Sequence, residues 1–83
     1  MIYNFYSVRD QLVGFMTPVL EVNDSVAVRN FTHAVKNKDS LMYSHSKYYD
    51  LYRIGVFDSD TGKIDSVLPD LICSGSSVLI DKE

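Results

Sequence analysis

The sequence predicts an α+β fold, a mainly antiparallel sheet of four or five strands with one helix packed on it. Residues 2–9 and 49–57 are rich in β-branched and aromatic side chains, which is typical of strands. Between them, apolar residues recur at intervals of three and four, as on one side of a helix. In a chain of 83 residues these elements can share only one core, so we expect a single domain over residues 1–83.

The first strand is expected over residues 2–9, which contain neither glycine nor proline. A short loop ending at Gly14 separates it from a second apolar run, residues 15–20. Pro18 interrupts that run, and proline cannot donate an N–H to a sheet ladder. We therefore expect an edge or irregular strand that forms a hairpin with the first strand.

The helix is expected from residue 24 to residue 37. Asn23 is a favourable N-cap, and Asp24 in the first turn complements the helix dipole. Lys36 and Lys38 suit the opposite end. The apolar residues with helical spacing are Ala27, Val28, Phe31, Ala34 and Val35. After the helix, a brief strand over residues 41–43 is the expectation.

The second half of the chain predicts a β-hairpin of residues 49–57 and 63–68, because two apolar runs flank a loop of Asp, Ser and Gly. Simple alternation places on one side Leu51, Arg53, Gly55 and Phe57, and on the other Tyr52, Ile54 and Val56. Pro69 is expected to end the second strand. Residues 74–77 are then a flexible spacer before a last strand over residues 78–80.

Charge and composition limit the functions that the chain can serve. The net charge is −3, the opposite of what a protein that coats DNA through many phosphate contacts carries. This disfavours genome condensation but allows a local basic patch. No run approaches the roughly 18 apolar residues of a membrane span, and the first residues lack the pattern of a signal peptide. We therefore expect a cytoplasmic protein without a membrane partner.

External stabilisation of so small a core is expected to come from self-association. Cys73 has no second cysteine with which to form an intramolecular disulfide. With His33 and His45 it cannot complete a four-ligand zinc site without carboxylates at unsupported spacings, so we expect neither a metal nor a cofactor. A chain of this size buries only about 60% of its unfolded surface, and we accordingly expect a homo-oligomer.

A tyrosine-rich stretch bordered by cations is the main candidate site. Single-stranded bases stack on aromatic rings beside basic groups. The stretch comprises Tyr43, Lys47, Tyr48, Tyr49, Tyr52 and Arg53. Tyrosines are also ordinary strand and interface residues, so contact with the core or with a second copy is the alternative.

A second candidate is the polar side of the helix. Arg29, His33 and Lys36 share one helical face, and Lys38 follows shortly after. This face could contact phosphates, or it could simply be the solvated side of an amphipathic helix. We predict a nucleic-acid site that draws on both candidates, formed by Arg29, Lys36, Lys38, Lys47, Tyr48, Tyr49, Tyr52 and Arg53.

Calcium binding and catalysis find little support in the sequence. Asp58, Asp60 and Gly62 resemble the start of a calcium loop, but the later ligand positions do not match, so a hairpin turn is expected there. Neither a nucleophile elbow, nor a phosphate loop, nor a metalloprotease motif occurs. We expect a noncatalytic protein.

Several segments, in this order and spacing, resemble the microvirus nonstructural protein family of gokushovirus-like single-stranded DNA phages. The segments are 3–10, 14–15, 23–24, 29–31 and 51–58, and the similarity extends from residue 2 to about residue 79. The resemblance implies a protein of the infected bacterial cytoplasm that is absent from the virion and acts in viral DNA replication or single-stranded genome synthesis. Its partner would be single-stranded DNA or the phage replication initiation protein. The alternative is a factor that contacts a host protein or the assembling capsid and binds no nucleic acid.

Overall fold

The fold is a curled five-stranded antiparallel sheet with helices on one face. A computed structural model describes residues 1–80. The elements in chain order are β1 (Ile2–Asp10), β2 (Gly14–Phe15), β3 (Val19–Glu21), α1 (Asp24–Lys36), α2 (Leu41–Ser44), a 3₁₀ turn (Ser46–Tyr48), β4 (Tyr49–Asp58), β5 (Lys63–Ser74) and α3 (Gly75–Ile80). The α+β prediction is confirmed, and two short helices add to the expected one.

Strand β1 lies inside the sheet, between β4 and the shorter strands β2 and β3. Its partners include Phe15 opposite Arg9 and Leu20 opposite Phe5. The predicted hairpin partner over residues 15–20 is therefore present but divided into two strands. The division falls at Pro18, which has no N–H for the ladder.

Helix α1 confirms the prediction to within one residue. Asn23 caps it, and its side-chain oxygen accepts a hydrogen bond from the Val26 N–H at 2.9 Å. The apolar side of α1 is buried against the sheet. The Tyr6 hydroxyl donates to the Asp24 carboxylate at 2.5 Å, which ties the start of α1 to β1.

The expected strand over residues 41–43 is wrong, because the segment forms α2. The Ser40 side chain accepts from the Met42 N–H at 3.0 Å and so caps a single helical turn. Three apolar residues are too few to distinguish the helical period from the alternation of a strand, so the local cap decides the conformation.

The last strand predicted over residues 78–80 is also wrong, because residues 75–80 form α3. Val78 on this helix belongs to the hydrophobic core. Gly75 is buried against the backbone carbonyls of Ser46 and Tyr49, so the expected spacer is instead a close-packed junction. Packing of Val78 against the core outweighs the β propensity of the short apolar run.

The β4–β5 hairpin is confirmed, but Pro69 does not end β5, which continues to Ser74. Pairing passes from Gly55 opposite Ser66 to Arg53 opposite Asp70. Pro69 therefore falls in an irregular stretch where no ladder hydrogen bond is required of it.

A register shift at Ile54 overturns the simple alternation expected for β4. Phe5 pairs with Gly55, and the next residue, Tyr6, pairs with Arg53. Since consecutive residues of β1 point to opposite faces, Arg53 and Gly55 must also lie on opposite faces. Tyr52, Gly55 and Phe57 consequently share one face, and Leu51, Arg53 and Val56 share the other.

The hydrophobic core lies between the helices and one face of the sheet. Its buried members are Tyr6, Ala27, Phe31, Val35, Tyr49, Leu51 and Val78. The strand residues among them all lie on the face that α1 covers, by their register with Tyr6 and Val8. No helix of residues 1–80 supplies a buried apolar side chain to the opposite face, which we call the open face.

Candidate nucleic-acid interface

The predicted tyrosine cluster is divided between the two faces of the sheet. Tyr49 is only 8% exposed and belongs to the core, so its ring is not available for a base to stack on. Tyr52 points to the open face, where its ring packs edge-on against Phe15 with 5.4 Å between centroids. Both tyrosines belong to β4, in which successive side chains point to opposite faces. Tyr49 and Tyr52 are three positions apart, so they lie on different faces.

Tyr48 and Lys47 stay together at the helical end of the molecule. The Lys47 ammonium lies 5.6 Å from the centroid of the Tyr48 ring. The imidazole of His45 stacks beside the same ring, with 6.3 Å between centroids. Tyr48 also packs against the core, so only part of its ring is exposed.

Arg53 lies on the helix-covered face, opposite Tyr6 and away from Tyr52. Its guanidinium lies 3.7 Å from the Asp70 carboxylate, and its side chain is 29% exposed. Part of its charge is thereby neutralised by a neighbour on β5.

The helix cations divide into two groups. Arg29 is exposed near the middle of α1, and its Nε donates to the Asn30 side chain at 3.3 Å. Lys36 and Lys38, at the end of α1, line a cavity of about 280 Å³ together with Tyr43 and Leu79. The structure thus brings two of the predicted cations, Lys36 and Lys38, beside Tyr43 of the tyrosine-rich stretch. The spacing of apolar and polar residues in the sequence does not indicate this proximity.

The open face carries an aromatic surface that the sequence reasoning missed. It holds five of the ten aromatic residues: Tyr3, Phe5, Phe15, Tyr52 and Phe57. The rings of Tyr3 and Phe57 lie 6.4 Å apart, on neighbouring strands. The sequence does contain a signal for this surface, because the alternate positions of Tyr3, Phe5 and Arg9 place them on one face of β1. The bulge at Ile54 reverses the alternation of β4, so the residues of β4 on that face could not be identified from the sequence.

Arg9 is the cation of this aromatic surface. Its guanidinium carbon lies 6.0 Å from the centroid of Phe15, within the range of a cation–π contact. Asp50 is its partner in register on β4 and accepts a hydrogen bond from the Gln11 side chain at 3.1 Å. The open face is therefore aromatic and apolar, with sparse charge.

The titratable groups with shifted pKa values lie elsewhere. Burial, reinforced by the hydrogen bond to Asp24, raises the pKa of Tyr6 to about 12. Burial also raises the pKa of Tyr49, with Asp10 adding to the effect. The pKa of the Cys73 thiol is raised by burial as well, which keeps it protonated and a poor nucleophile at neutral pH.

The Asp58–Gly62 segment forms the predicted hairpin turn. Gly62 has a positive φ of 77°, which glycine adopts without strain. The Asp58 carboxylate accepts from the Asp60 N–H at 2.9 Å. Within residues 1–80, no three His, Cys, Asp or Glu side chains are grouped so that they could hold a metal ion. In the same range, no helix has the length and apolar character needed to span a membrane.

Comparison with known proteins identifies a phage family. The family model described as "Phage ORF5 protein" matches residues 3–78, nearly the whole chain. No curated protein and no solved structure matches the chain significantly. The match covers α1, the strands β2 to β5 and all of β1 except its first residue. The chain belongs to the Phage ORF5 protein family.

Proposed function

We propose that this phage protein is a noncatalytic accessory factor that binds single-stranded DNA on its open face. In this proposal it is a nonstructural protein of a microvirus of the gokushovirus type. It acts in viral DNA replication or single-stranded genome synthesis, in the cytoplasm of the infected bacterium and outside the virion. The observation that carries the proposal is the set of five aromatic residues on a sheet face without a helix.

Stacking supports this function physically. Aromatic residues on sheet surfaces bind unpaired bases by stacking, and each stacked base contributes about 1–3 kcal/mol. Tyr52 and Phe15 lie at one end of the open face, and Tyr3 and Phe57 at the other. An extended strand of a few nucleotides could cross between these two ring pairs.

The charge distribution makes the phosphate contribution small. Arg9 stands on the open face, whereas Arg29, Lys36 and Lys38 lie on the helical side of the molecule. The net charge of −3 opposes long-range attraction to DNA. We therefore expect moderate affinity with a shallow dependence on salt, because few counterions are released.

The first test is a titration of a fluorescently labelled single-stranded oligonucleotide with the purified chain at two salt concentrations. Tyr52→Ala combined with Phe57→Ala removes one ring from each end of the open face. We expect this double variant to bind at least tenfold more weakly. Tyr49→Ala is unsuitable, because it would damage the core rather than a surface.

Matched cation variants locate the site. Arg9→Ala removes the open-face cation, and Arg29→Ala removes one cation from the helical side. Weaker binding by Arg9→Ala alone supports the open face. Loss of binding in a variant with Lys36→Ala and Lys38→Ala, with the aromatic variant unaffected, would transfer the site to the cavity beside Tyr43. Absence of binding by the folded wild type at low salt would refute the DNA proposal.

A second candidate function is contact with a protein, either the phage replication initiation protein, a host protein or the assembling capsid. The observation that favours it is the exposed apolar character of Phe15, Leu20 and Leu71 on the same face. A photo-crosslinking amino acid at position 71, introduced in infected cells, separates the two functions. Crosslinks to DNA support the first function, and crosslinks to a protein support the second.

A further inference from the structure

The two edges of the sheet differ in how well they are protected from another strand. One edge consists of β2 and β3, which have two and three residues and are separated at Pro18. The other edge is β5, with twelve residues. Natural sheets usually interrupt or cover such edges, because an unpaired row of N–H and C=O groups can bind a further strand. Pro69 interrupts β5 late, and residues 63–66 before it remain regular and exposed.

The exposed part of β5 is complementary to itself. Lys63, Ile64 and Asp65 have exposed fractions of 71%, 64% and 53%. If two β5 strands pair antiparallel about a two-fold axis at Ile64, each Lys63 lies directly opposite Asp65 of the second copy. The two Ile64 side chains then meet at the axis. Opposite charges and an apolar pair in direct register each stabilise antiparallel pairing.

We propose that a second copy of this chain binds along β5, in antiparallel register centred on Ile64. The pairing needs no rearrangement of the sheet, since no strand within residues 1–80 pairs with the outer edge of β5. It gives up the ion pair between Lys63 and Asp65 of one chain, whose atoms are 3.8 Å apart and solvent-exposed. Such pairs contribute little, so exchanging partners across the interface costs little.

Dimerisation would also join the two open faces. Tyr3, Phe57 and Ile64 are consecutive partners across β1, β4 and β5, and therefore lie in one row. In the dimer the row continues through Ile64, Phe57 and Tyr3 of the second copy. Six strands at about 4.8 Å spacing make this row about 24 Å long. The proposal does not depend on DNA binding, and its tests contain no nucleic acid.

Charge reversal tests the register. Lys63→Asp places like charges opposite each other twice, and so does Asp65→Lys. The double variant with Lys63→Asp and Asp65→Lys restores the complementarity. Sedimentation equilibrium of the full chain over a hundredfold concentration range should give dimers for the wild type and the double variant. Each single variant should require at least tenfold higher concentration to dimerise. A wild type that is monomeric throughout, or single variants that dimerise like it, would overturn the proposal.

Cysteine crosslinking provides a second test with a matched control. Directly opposite residues of an antiparallel pair have Cα atoms about 4.5–5.5 Å apart, within the range of a disulfide. Ile64→Cys in a Cys73→Ser background should therefore form a covalent dimer under mild oxidation. Ser66→Cys in the same background lies on the same face, but its counterpart would be about 13 Å away. Equal crosslinking of both variants, or crosslinking of Ser66→Cys alone, contradicts the register.

Discussion

At the scale of single residues, the bulge at Ile54 and the glycine beside it determine which side chains reach the open face. A Cβ added to Gly55 would lie 2.8 Å from the backbone oxygen of Asp65 and 3.4 Å from the Phe5 ring. Glycine thus permits the close approach of β5 at the point where the register changes. The sequence displays this residue but not its role, because a bulge depends on pairing with strands far away in the chain.

Substitution of this glycine should be costly. We expect Gly55→Ala to lower the free energy of unfolding by about 2 kcal/mol, because the added methyl group meets backbone that cannot easily move. Gly62→Ala is the comparison, since a Cβ there meets nothing within 4 Å and the cost is the positive φ alone, about 1 kcal/mol. Urea unfolding of both variants provides the measurement. A Gly55→Ala variant as stable as the wild type would contradict the close approach.

The Tyr6 hydroxyl should make stability depend on alkaline pH. Its pKa in the folded chain is about 12, raised above the ordinary value of 10.0 chiefly by burial. The folded state therefore holds this proton more tightly, so the stabilisation is complete below pH 10 and is lost as the pH rises toward 12. Tyr49 and Cys73, whose pKa values are also raised, act in the same direction.

Tyr6→Phe should separate this contribution. At pH 7 it should cost about 2 kcal/mol, because the hydroxyl donates to the charged Asp24 carboxylate and also accepts from the Asn4 side chain at 3.1 Å. Between pH 10 and pH 11 its stability should fall less steeply than that of the wild type. Tyr43→Phe is the control, since that ring is only half-buried. Parallel declines for wild type and Tyr6→Phe in urea unfolding would show that the hydroxyl does not titrate as described.

At the scale of elements, predictability from sequence followed length. Helix α1 spans thirteen residues, which is long enough for its period and caps to identify it. β1, β4 and the first part of β5 were likewise found from composition and turn residues. α2 and α3 have four and six residues, too few to establish a period, and their conformation depends on the Ser40 cap and on burial of Val78. The candidate site was the least predictable part, because the register between β1 and β4 decides which side chains share a face of the sheet.

Helix α3 should matter for stability although it is short. Val78→Ala removes two methyl groups from a core of seven buried apolar residues. We expect a loss of about 2 kcal/mol in the free energy of unfolding. Ser76→Ala, on the exposed side of the same helix, should change it by less than about 0.5 kcal/mol. Thermal unfolding followed by circular dichroism compares the two, and equal effects would mean that α3 does not pack as described.

At the scale of the whole molecule, the chain is elongated. Its extents are 43 × 24 × 19 Å and its radius of gyration is 13.2 Å, against about 12 Å for a compact chain of this length. The core occupies the end of the sheet near Tyr49 and α3, and the hairpin projects beyond it. The small core is the physical ground for expecting that a second copy stabilises the protein.

Dimerisation through β5 should therefore appear as concentration-dependent stability. Binding of a second folded copy stabilises the native state by mass action. The melting temperature of the wild type should rise with protein concentration, whereas that of Lys63→Asp should not. Differential scanning calorimetry at three concentrations measures both. Equal concentration dependence in the two proteins would assign the association to another surface.

The projecting hairpin has a consequence for local opening. The backbone amides near its turn are held by the β1–β4–β5 ladder, but residues 56–58 and 63–66 contribute nothing to the buried core on either face. In the monomer, amides of residues 56–58 and 63–66 should therefore exchange with deuterium faster than those of residues 49–52, where β4 packs against the core. The same residues would be the first to admit a protease. A single continuous strand would thus be rigid at one end and transiently open at the other.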